Sequence, residues 1–572
     1  MIKETIRQAI KEALTTLSIE ASDFTLEPPE DISHGDYMTN AALAHAKLYK
    51  LNPIELGKRI VEKLSAATIE GVEKISVAGP GFINIALSQK YLVAALDSAL
   101  KHPDAYGRTD LGKGKRDIYE YTDPNPFKEF HIGHLMSNTI GESLSRLAEF
   151  SGAKVARACY QGDMGLNVAQ AVWGMRRLES EMPQEHAPLN ERVAFLGKAY
   201  ALGASGYEET DAVKEDIIEV NRKLFAQSDP HLASLYEKGK RWSLESFEAV
   251  YKKLGTKFDH YFFESETAPI GAAIVNEFLA KGVFEKSDGA VIFRGEKYDL
   301  HTRVFINSEG FPTYDGKELG LAKVKYERSP YDRSVIITAN EQAGYFKVLL
   351  KAIDLVFPEL AGKNQNIAHG MMKLSSGKMS SRKGNVVGGE KLIATLAEKV
   401  VERVKERKEI GEGERHGISE EIAVAAIKYS ILKQSIGKDI IFDIESALSF
   451  EGDSGPYLQY ALVRAVSVLR NASKEGIAPS FKTASPHEVP ALGKRIYRFP
   501  DVVVRAQREF APQYIATYLT ALAGEFNSYY ANNKIVDKAD PESAYRLGLT
   551  EAFIAVMKNG LWLLGISVPK KM

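Results

Sequence analysis

The chain has 572 residues, 44% hydrophobic and 26% charged, which is enough for three or four globular domains. With 74 Lys and Arg against 75 Asp and Glu, its charge neither announces nor excludes a polyanionic partner, because positive charge can gather on one face. A single cysteine, Cys159, excludes an intramolecular disulfide and a multi-cysteine zinc site, and fits a reducing, cytoplasmic setting.

The first segment, MIKETIRQAIKEALTTL, reads as an amphipathic helix of mixed charge rather than a signal peptide. No apolar run is long enough to span a membrane. Helical periodicity recurs over 39–49 and 53–66. Alternation in KISVAGPGFINIAL predicts strands broken at Gly79-Pro80-Gly81. Residues 1–110 are therefore expected to form a small α+β domain, with 106–116 as a linker. Residues 117–122 predict a strand, DPNPFKEF a loop, and 131–150 a helix with Leu135, Met136, Ile140, Leu144 and Leu147 on its apolar side. Ser151-Gly152 ends that helix and KVARACY is the next strand. Such a β-α-β unit implies a parallel α/β sheet. Residues 165–255 are mostly helical and charged, as an insertion between two halves of a sheet would be. Strands return in GAVIF (289–293), RVFIN (303–307) and SVIITA (334–339). From about 390 to 572 the pattern is helical almost throughout. The charge run 400–417 is expected on a solvated helix face.

Two stretches carry chemistry. In HIGH (131–134), His131 and His134 stand three residues apart at a helix start, so both project from one side of the first turn. That turn offers free backbone N–H groups and the positive end of the helix dipole, and Gly133 leaves room for a flat ring. Taken alone, the pair could equally be capping or packing histidines. The stretch GKMSSRKGN (377–385) sets Lys378, Arg382 and Lys383 with Ser380 and Ser381 between Gly377 and Gly384. A cationic loop of this kind can close on a pyrophosphate as charge builds in a transition state; the plain alternative is a basic surface loop.

Together, in this order, the two motifs resemble the class I aminoacyl-tRNA synthetases, and more closely the arginyl-tRNA synthetases, over nearly the whole chain. PNPFKEFHIGHL resembles that family's Pro-Asn-x-x-Lys-x-x-His-x-Gly-His-Leu. YQGDMGLNV, FDHYFFESE and GPYLQYALVRAVSVLR resemble further segments, GLWLLGISVPKKM resembles its C-terminus, and HGDYMTNAAL with GPGFINIAL resembles its extra N-terminal domain. The sequence departs from the class I loop in having Ser381 where a second lysine is usual, and Lys128 matches the lysine with which this family makes up the loss. Glu318 stands where the family's Tyr-x-x-x-Asp element has its acid, one methylene longer.

The resemblance implies a multidomain α/β protein. It would comprise an N-terminal tRNA-elbow-binding domain (1–110), a Rossmann-like catalytic domain (111–390), a helical connection (391–450) and an all-helical anticodon-binding domain (451–572). It implies an arginine–tRNA ligase that uses ATP with Mg²⁺ and no zinc, working as a cytoplasmic monomer without a membrane partner. His131, His134, Lys128 and Lys378 would be catalytic. Gly133, Met379, Ser380, Ser381 and Arg382 would join the histidines and Lys378 around ATP. L-arginine would lie among Glu120, Asp123, Asn125, Tyr314, Glu318 and Gln342, because a guanidinium fork pairs best with carboxylates. Phe82 and Asn84 would read tRNA(Arg) at the elbow, and Tyr457, Gln459 and Tyr460 near the anticodon. The competing expectations are a non-catalytic tRNA-binding paralogue, against which the intact His131, His134 and Lys378 speak, and a class I synthetase for another amino acid. The length excludes a small nucleotidyltransferase.

Overall fold

The computed structural model describes residues 2–29, 31–375, 388–405, 411–482 and 488–572. They fall into two compact units.

The first unit comprises Met1–Gly107, Ala461–Val503 and Tyr518–Gly560. Its N-terminal part holds helix α1 (Ile2–Thr16), strands β1 (Leu26–Glu27) and β2 (Tyr37–Thr39), helices α2 (Ala41–Ala46) and α3 (Pro53–Ala66), strands β3 (Val72–Ala78) and β4 (Phe82–Leu87), and helix α4 (Gln89–Lys101). The strands form an antiparallel sheet in the order β1-β2-β4-β3. Alternation along β4 buries Ile83, Ile85 and Leu87 and leaves Phe82 and Asn84 half-buried on the other face. Asn52 fixes the start of α3 by accepting from the N–H groups of Ile54 and Glu55. Helix α4 was not expected from the sequence; Ser88 caps it, and Leu92, Leu96 and Ala99 bury its inner stripe. The same unit includes segments assigned from sequence to the C-terminal domain. The Tyr37 hydroxyl donates to Asp501 at 2.7 Å, Arg498 donates to the Pro29 carbonyl at 3.0 Å, and Tyr106 stacks on Phe499.

The second unit comprises Arg108–Tyr460, Val504–Thr517 and Leu561–Met572. In chain order it holds β5 (Arg116–Glu120), α5 (Ile132–Phe150), β6 (Lys154–Gln161), α6 (Leu166–Arg177), α7 (Leu189–Glu209), α8 (Asp211–Ala226), α9 (Pro230–Leu254), β7 (His260–Phe263) and α10 (Glu264–Ala280). There follow β8 (Glu285–Ser287), β9 (Ala290–Phe293), β10 (Arg303–Ile306), α11 (Tyr314–Arg328), β11 (Arg333–Ala339), α12 (Ala343–Val356), β12 (Asn364–His369), β13 (Met372–Leu374), α13 (Gly389–Val404), α14 (Glu412–Leu432) and β14 (Ile440–Phe442). The central sheet is parallel, in the order β12-β11-β5-β6-β7. Helices α6 to α9 form the insertion around their own core of Trp173, Phe195, Leu235 and Trp242.

Three expectations are corrected here. Strand β5 stops at Glu120 rather than 122, because Thr122 and Asp123 turn into the left-handed region at φ +80° and +46°. The GAVIF and RVFIN strands pair with each other in a separate antiparallel sheet, β10-β9-β8. The chain beyond 390 also contains a strand, β14, which pairs in parallel with β13.

Helix α5 is buried on nearly all sides, polar residues included. Gly141 is needed there, since a Cβ would stand 2.2 Å from the Tyr121 ring. Glu142 accepts from Tyr121 at 2.6 Å and from Arg146 at 2.7 Å. The C-terminal tail is tied to this helix: Ser143 donates to the Leu563 carbonyl and Arg146 to that of Trp562. Lys428, whose pKa burial lowers to about 7, donates to the carbonyls of Leu254 and Gly565.

Candidate active site

Because β5 is flanked by β6 on one side and β11 on the other, successive connections leave it in opposite directions. A crevice opens at the carboxyl ends of the strands at such a switch point. A cavity of about 1000 Å³ lies there, bounded by the ends of β5, β6, β11 and β12.

The loop from β5 to α5 enters this cavity in a strained conformation. Thr122, Asp123 and Phe127 all have positive φ, the last at +67°. Non-glycine residues held this way cost about 1–3 kcal/mol each and persist only when their surroundings over-determine them. Here they do. The Thr122 N–H donates to Ser137 Oγ at 3.0 Å, and Asn138 donates to Thr122 Oγ1 at 3.0 Å. Asp123 accepts from the Tyr160 N–H at 2.7 Å and Asn125 from the Gly162 N–H at 3.1 Å. The Phe127 N–H donates to Ser243 Oγ at 2.9 Å.

The two histidines open α5 as a reciprocal cap. The Gly133 N–H donates to His131 Nδ1, the His131 N–H donates to His134 Nδ1, and the rings stack with centroids 3.6 Å apart. A backbone N–H can only donate, so both Nδ1 atoms are acceptors. Each neutral ring therefore carries its proton on Nε2 and presents it as a donor. Burial, and then Lys128, lower the pKa of His131; burial, then His131 and Lys128, lower that of His134 much further. Capping and ligand-facing roles are thus compatible: Nδ1 serves the helix, leaving Nε2–H for a ligand.

Four acids converge on the cavity. Glu120 accepts from the buried Lys325 at 2.7 Å, and Glu264 from Lys317 at 2.7 Å. Burial, and then Glu120, push the Asp123 carboxyl well above the usual range; Glu318 is raised in the same way. Tyr314, 43% exposed, and Gln342 complete the wall. Such a set favours a cation with several donors.

Of the residues singled out from sequence, Glu120, Asp123, Asn125, His131, Gly133, His134, Tyr314, Glu318 and Gln342 line this one cavity. Lys128 does not; its ammonium lies 5.7 Å from the Tyr200 ring centroid, and its charge contributes to lowering the pKa of both histidines. Lys378, Met379, Ser380, Ser381 and Arg382 lie outside the described residues. The described flanks of their segment are at the site: Lys373 and Leu374 line the cavity, and Gly388 bridges to His131. Phe82 is half-buried beside Asn84 rather than a core residue. Tyr457 and Tyr460 are half-buried. Gln459 is corrected: it is fully buried, and its amide donates to the Ser567 carbonyl at 2.7 Å, so it braces the tail instead of facing a base. Sequence reasoning missed Lys317, Lys325 and Glu264. It also missed Ser137 and Asn138, whose signal was polar residues inside an otherwise apolar helix. Among the described residues no group of three His, Cys, Asp or Glu is placed to hold a metal ion, and no helix is long and apolar enough to cross a membrane.

Comparison with known proteins agrees with this chemistry. A family model described as the catalytic domain of class I (R) tRNA synthetases matches residues 95–444, more than half of the chain. The arginyl tRNA synthetase N-terminal domain matches 1–87, and the DALR anticodon binding domain 458–572. An arginine–tRNA ligase of Fusobacterium nucleatum is 31% identical over 94% of this chain and 93% of its own; that of Clostridium perfringens is 29% identical over 100% of both. The Thermus thermophilus arginyl-tRNA synthetase structure shares the fold with a TM-score of 0.82 at 22% identity, over 100% of both chains. The chain belongs to the arginyl-tRNA synthetases of class I and is an arginine–tRNA ligase.

Proposed function

We propose that L-arginine binds with its guanidinium among Glu120, Tyr314 and Glu318, and its α-amino and α-carboxylate end at Asn125 and Gln342 with Asp123 nearby. ATP, as its Mg²⁺ complex, lies along His131, Gly133 and His134. Lys128 and Lys378 meet its phosphates, with Met379, Ser380, Ser381 and Arg382 around them. An arginine carboxylate oxygen attacks the α-phosphorus, the bond to the β-phosphate oxygen breaks, and pyrophosphate leaves with the electron pair. The Nε2–H donors of the histidines and the lysine charges stabilise that step through positioning and electrostatics. The 2′-hydroxyl of the terminal tRNA adenosine then takes the arginyl group, releasing AMP and a proton. Phe82 and Asn84 contact the tRNA elbow, while Tyr457 and Tyr460 lie toward the anticodon. The enzyme works as a cytoplasmic monomer, a setting that suits the single buried thiol of Cys159.

The observation that carries this reading is the convergence of four acids with two Nε2–H donors in one cavity at the switch point. Pyrophosphate exchange with arginine, ATP and tRNA tests it. Exchange should depend on arginine, and exchange supported equally by other amino acids would overturn the arginine site.

A further inference from the structure

We propose that helix α9 of the insertion clamps the strained loop at both ends, with Ser243 and Thr256 as positioning residues for Asp123, Asn125 and Lys128. At one end, α9 receives Phe127. Gly239 makes room for its ring, since a Cβ there would stand 2.2 Å from Phe127 Cε1. One turn on, and on the same face, Ser243 Oγ accepts from the Phe127 N–H and its hydroxyl donates to the Gly239 carbonyl at 2.8 Å. The next residue along the loop is Lys128.

At the other end, just past the Gly255 cap of α9, Thr256 donates to Asn138 Oδ1 at 3.0 Å. Asn138, fully buried, is thereby oriented with its amide nitrogen toward Thr122 Oγ1. The two ends of the one amide thus serve different partners, the oxygen Thr256 and the nitrogen Thr122. One helix therefore holds Phe127 directly and Thr122 through one intermediary. These are the first and last of the three positive-φ residues, and Asp123 and Asn125 lie between them.

This inference rests on the proposed role of the loop at the α-amino and α-carboxylate end of arginine, and its test separates the two. Binding of L-arginine is compared with that of n-butylguanidine, which keeps the guanidinium and lacks both α groups. Ser243→Ala and the isosteric Thr256→Val should weaken arginine about tenfold while leaving butylguanidine within about twofold. Ser243→Thr and Thr256→Ser, which keep the hydroxyl, should restore the preference. A general loss of packing would lower the melting temperature and weaken both ligands together; that result, or unchanged arginine binding in folded variants, overturns the clamp. Asn125→Ala reports on the loop itself. If it loses the arginine preference while Ser243→Ala and Thr256→Val keep it, the clamp alone fails. If Asn125→Ala keeps the preference, the reading of the loop fails and the clamp with it.

Discussion

Arginine should enter this site with the release of protons. Asp123 and Glu318 are raised well above ordinary carboxyl values, by burial first and by Glu120 second. In the ligand-free enzyme they therefore hold their protons to higher pH than ordinary carboxyls do. A guanidinium is charged at every accessible pH, and a cation beside a carboxyl favours its ionised form. Binding therefore drives protons off, up to about two if both groups ionise fully. Each proton released makes affinity rise with pH by about tenfold per unit, or about 1.4 kcal/mol, until the pH passes the raised values and the slope levels off. The stability of the ligand-free fold runs the other way. The ligand-free fold binds more protons than the unfolded chain, so these groups lose stability as pH rises from ordinary carboxyl values toward the raised ones. The thermal shift produced by arginine should grow over that window. Calorimetric titration without ATP, in phosphate and in Tris at one pH, counts the protons from the dependence of the heat on buffer ionisation. Glu318→Gln should lower the count, and citrulline, a neutral isostere of arginine, should release fewer protons and bind more weakly. Heat independent of the buffer at every pH tested above the ordinary carboxyl range would refute the assignment of these acids to the arginine site.

His131→Ala and His134→Ala should each lower kcat about ten- to a thousandfold with a smaller change in the KM for ATP; steady-state kinetics near wild type would leave the histidines as caps only. Loss of the His131 cap should also cost about 0.5–2 kcal/mol in denaturant unfolding. Lys128→Ala should impair exchange about as severely as Lys378→Ala, and Ser381→Lys in the Lys128→Ala background should rescue part of it; normal exchange in Lys128→Ala removes that residue from the site. Asn84→Ala and Phe82→Ala should raise the tRNA KM, at about 1–3 kcal/mol each, without changing ATP affinity. Unaltered charging kinetics in a folded Asn84→Ala variant would end its base-reading role.

The candidate residues that could be read from the sequence are those whose chemistry is local. A His-x-Gly-His at a helix start follows from one turn of helix, and the period-2 alternation of Phe82 and Asn84 follows from one strand. Long-range pairing left no such trace. Nothing near Glu120 in sequence announces Lys325, 205 positions away, because the pair forms only when the fold brings this residue of α11 to the end of β5. The strained loop was missed for a related reason. Prolines at 124 and 126 mark a loop, but positive φ at Thr122 and Phe127 is imposed by Ser137, Asn138 and Ser243 from other elements. Gln459 fails in the opposite direction: a polar residue in an exposed-looking motif reads as a base reader, whereas its amide nitrogen turns inward to the tail carbonyl of Ser567.

The two lysines explain how four acids can share one cavity before any substrate arrives. Carboxylates buried side by side repel one another, and several ionised groups together would be prohibitive without countercharge. Lys325 supplies that charge to Glu120, and Lys317 pulls Glu264 down against a burial effect that still leaves it raised. The two acids without a lysine at hydrogen-bond distance in this set, Asp123 and Glu318, are those whose carboxyls burial and Glu120 raise furthest. Half of the set is thus matched by lysine side chains, and the other half has carboxyls raised toward holding their protons. L-arginine carries two positive charges, the guanidinium and the α-ammonium, which can replace those protons one for one. An amino acid with a neutral side chain brings only the α-ammonium. It would leave one acid either protonated, and so a poorer partner, or ionised and uncompensated in a buried site. At the proposed arginine site, selection would then lie as much in the cost of that mismatch as in contacts to the guanidinium fork.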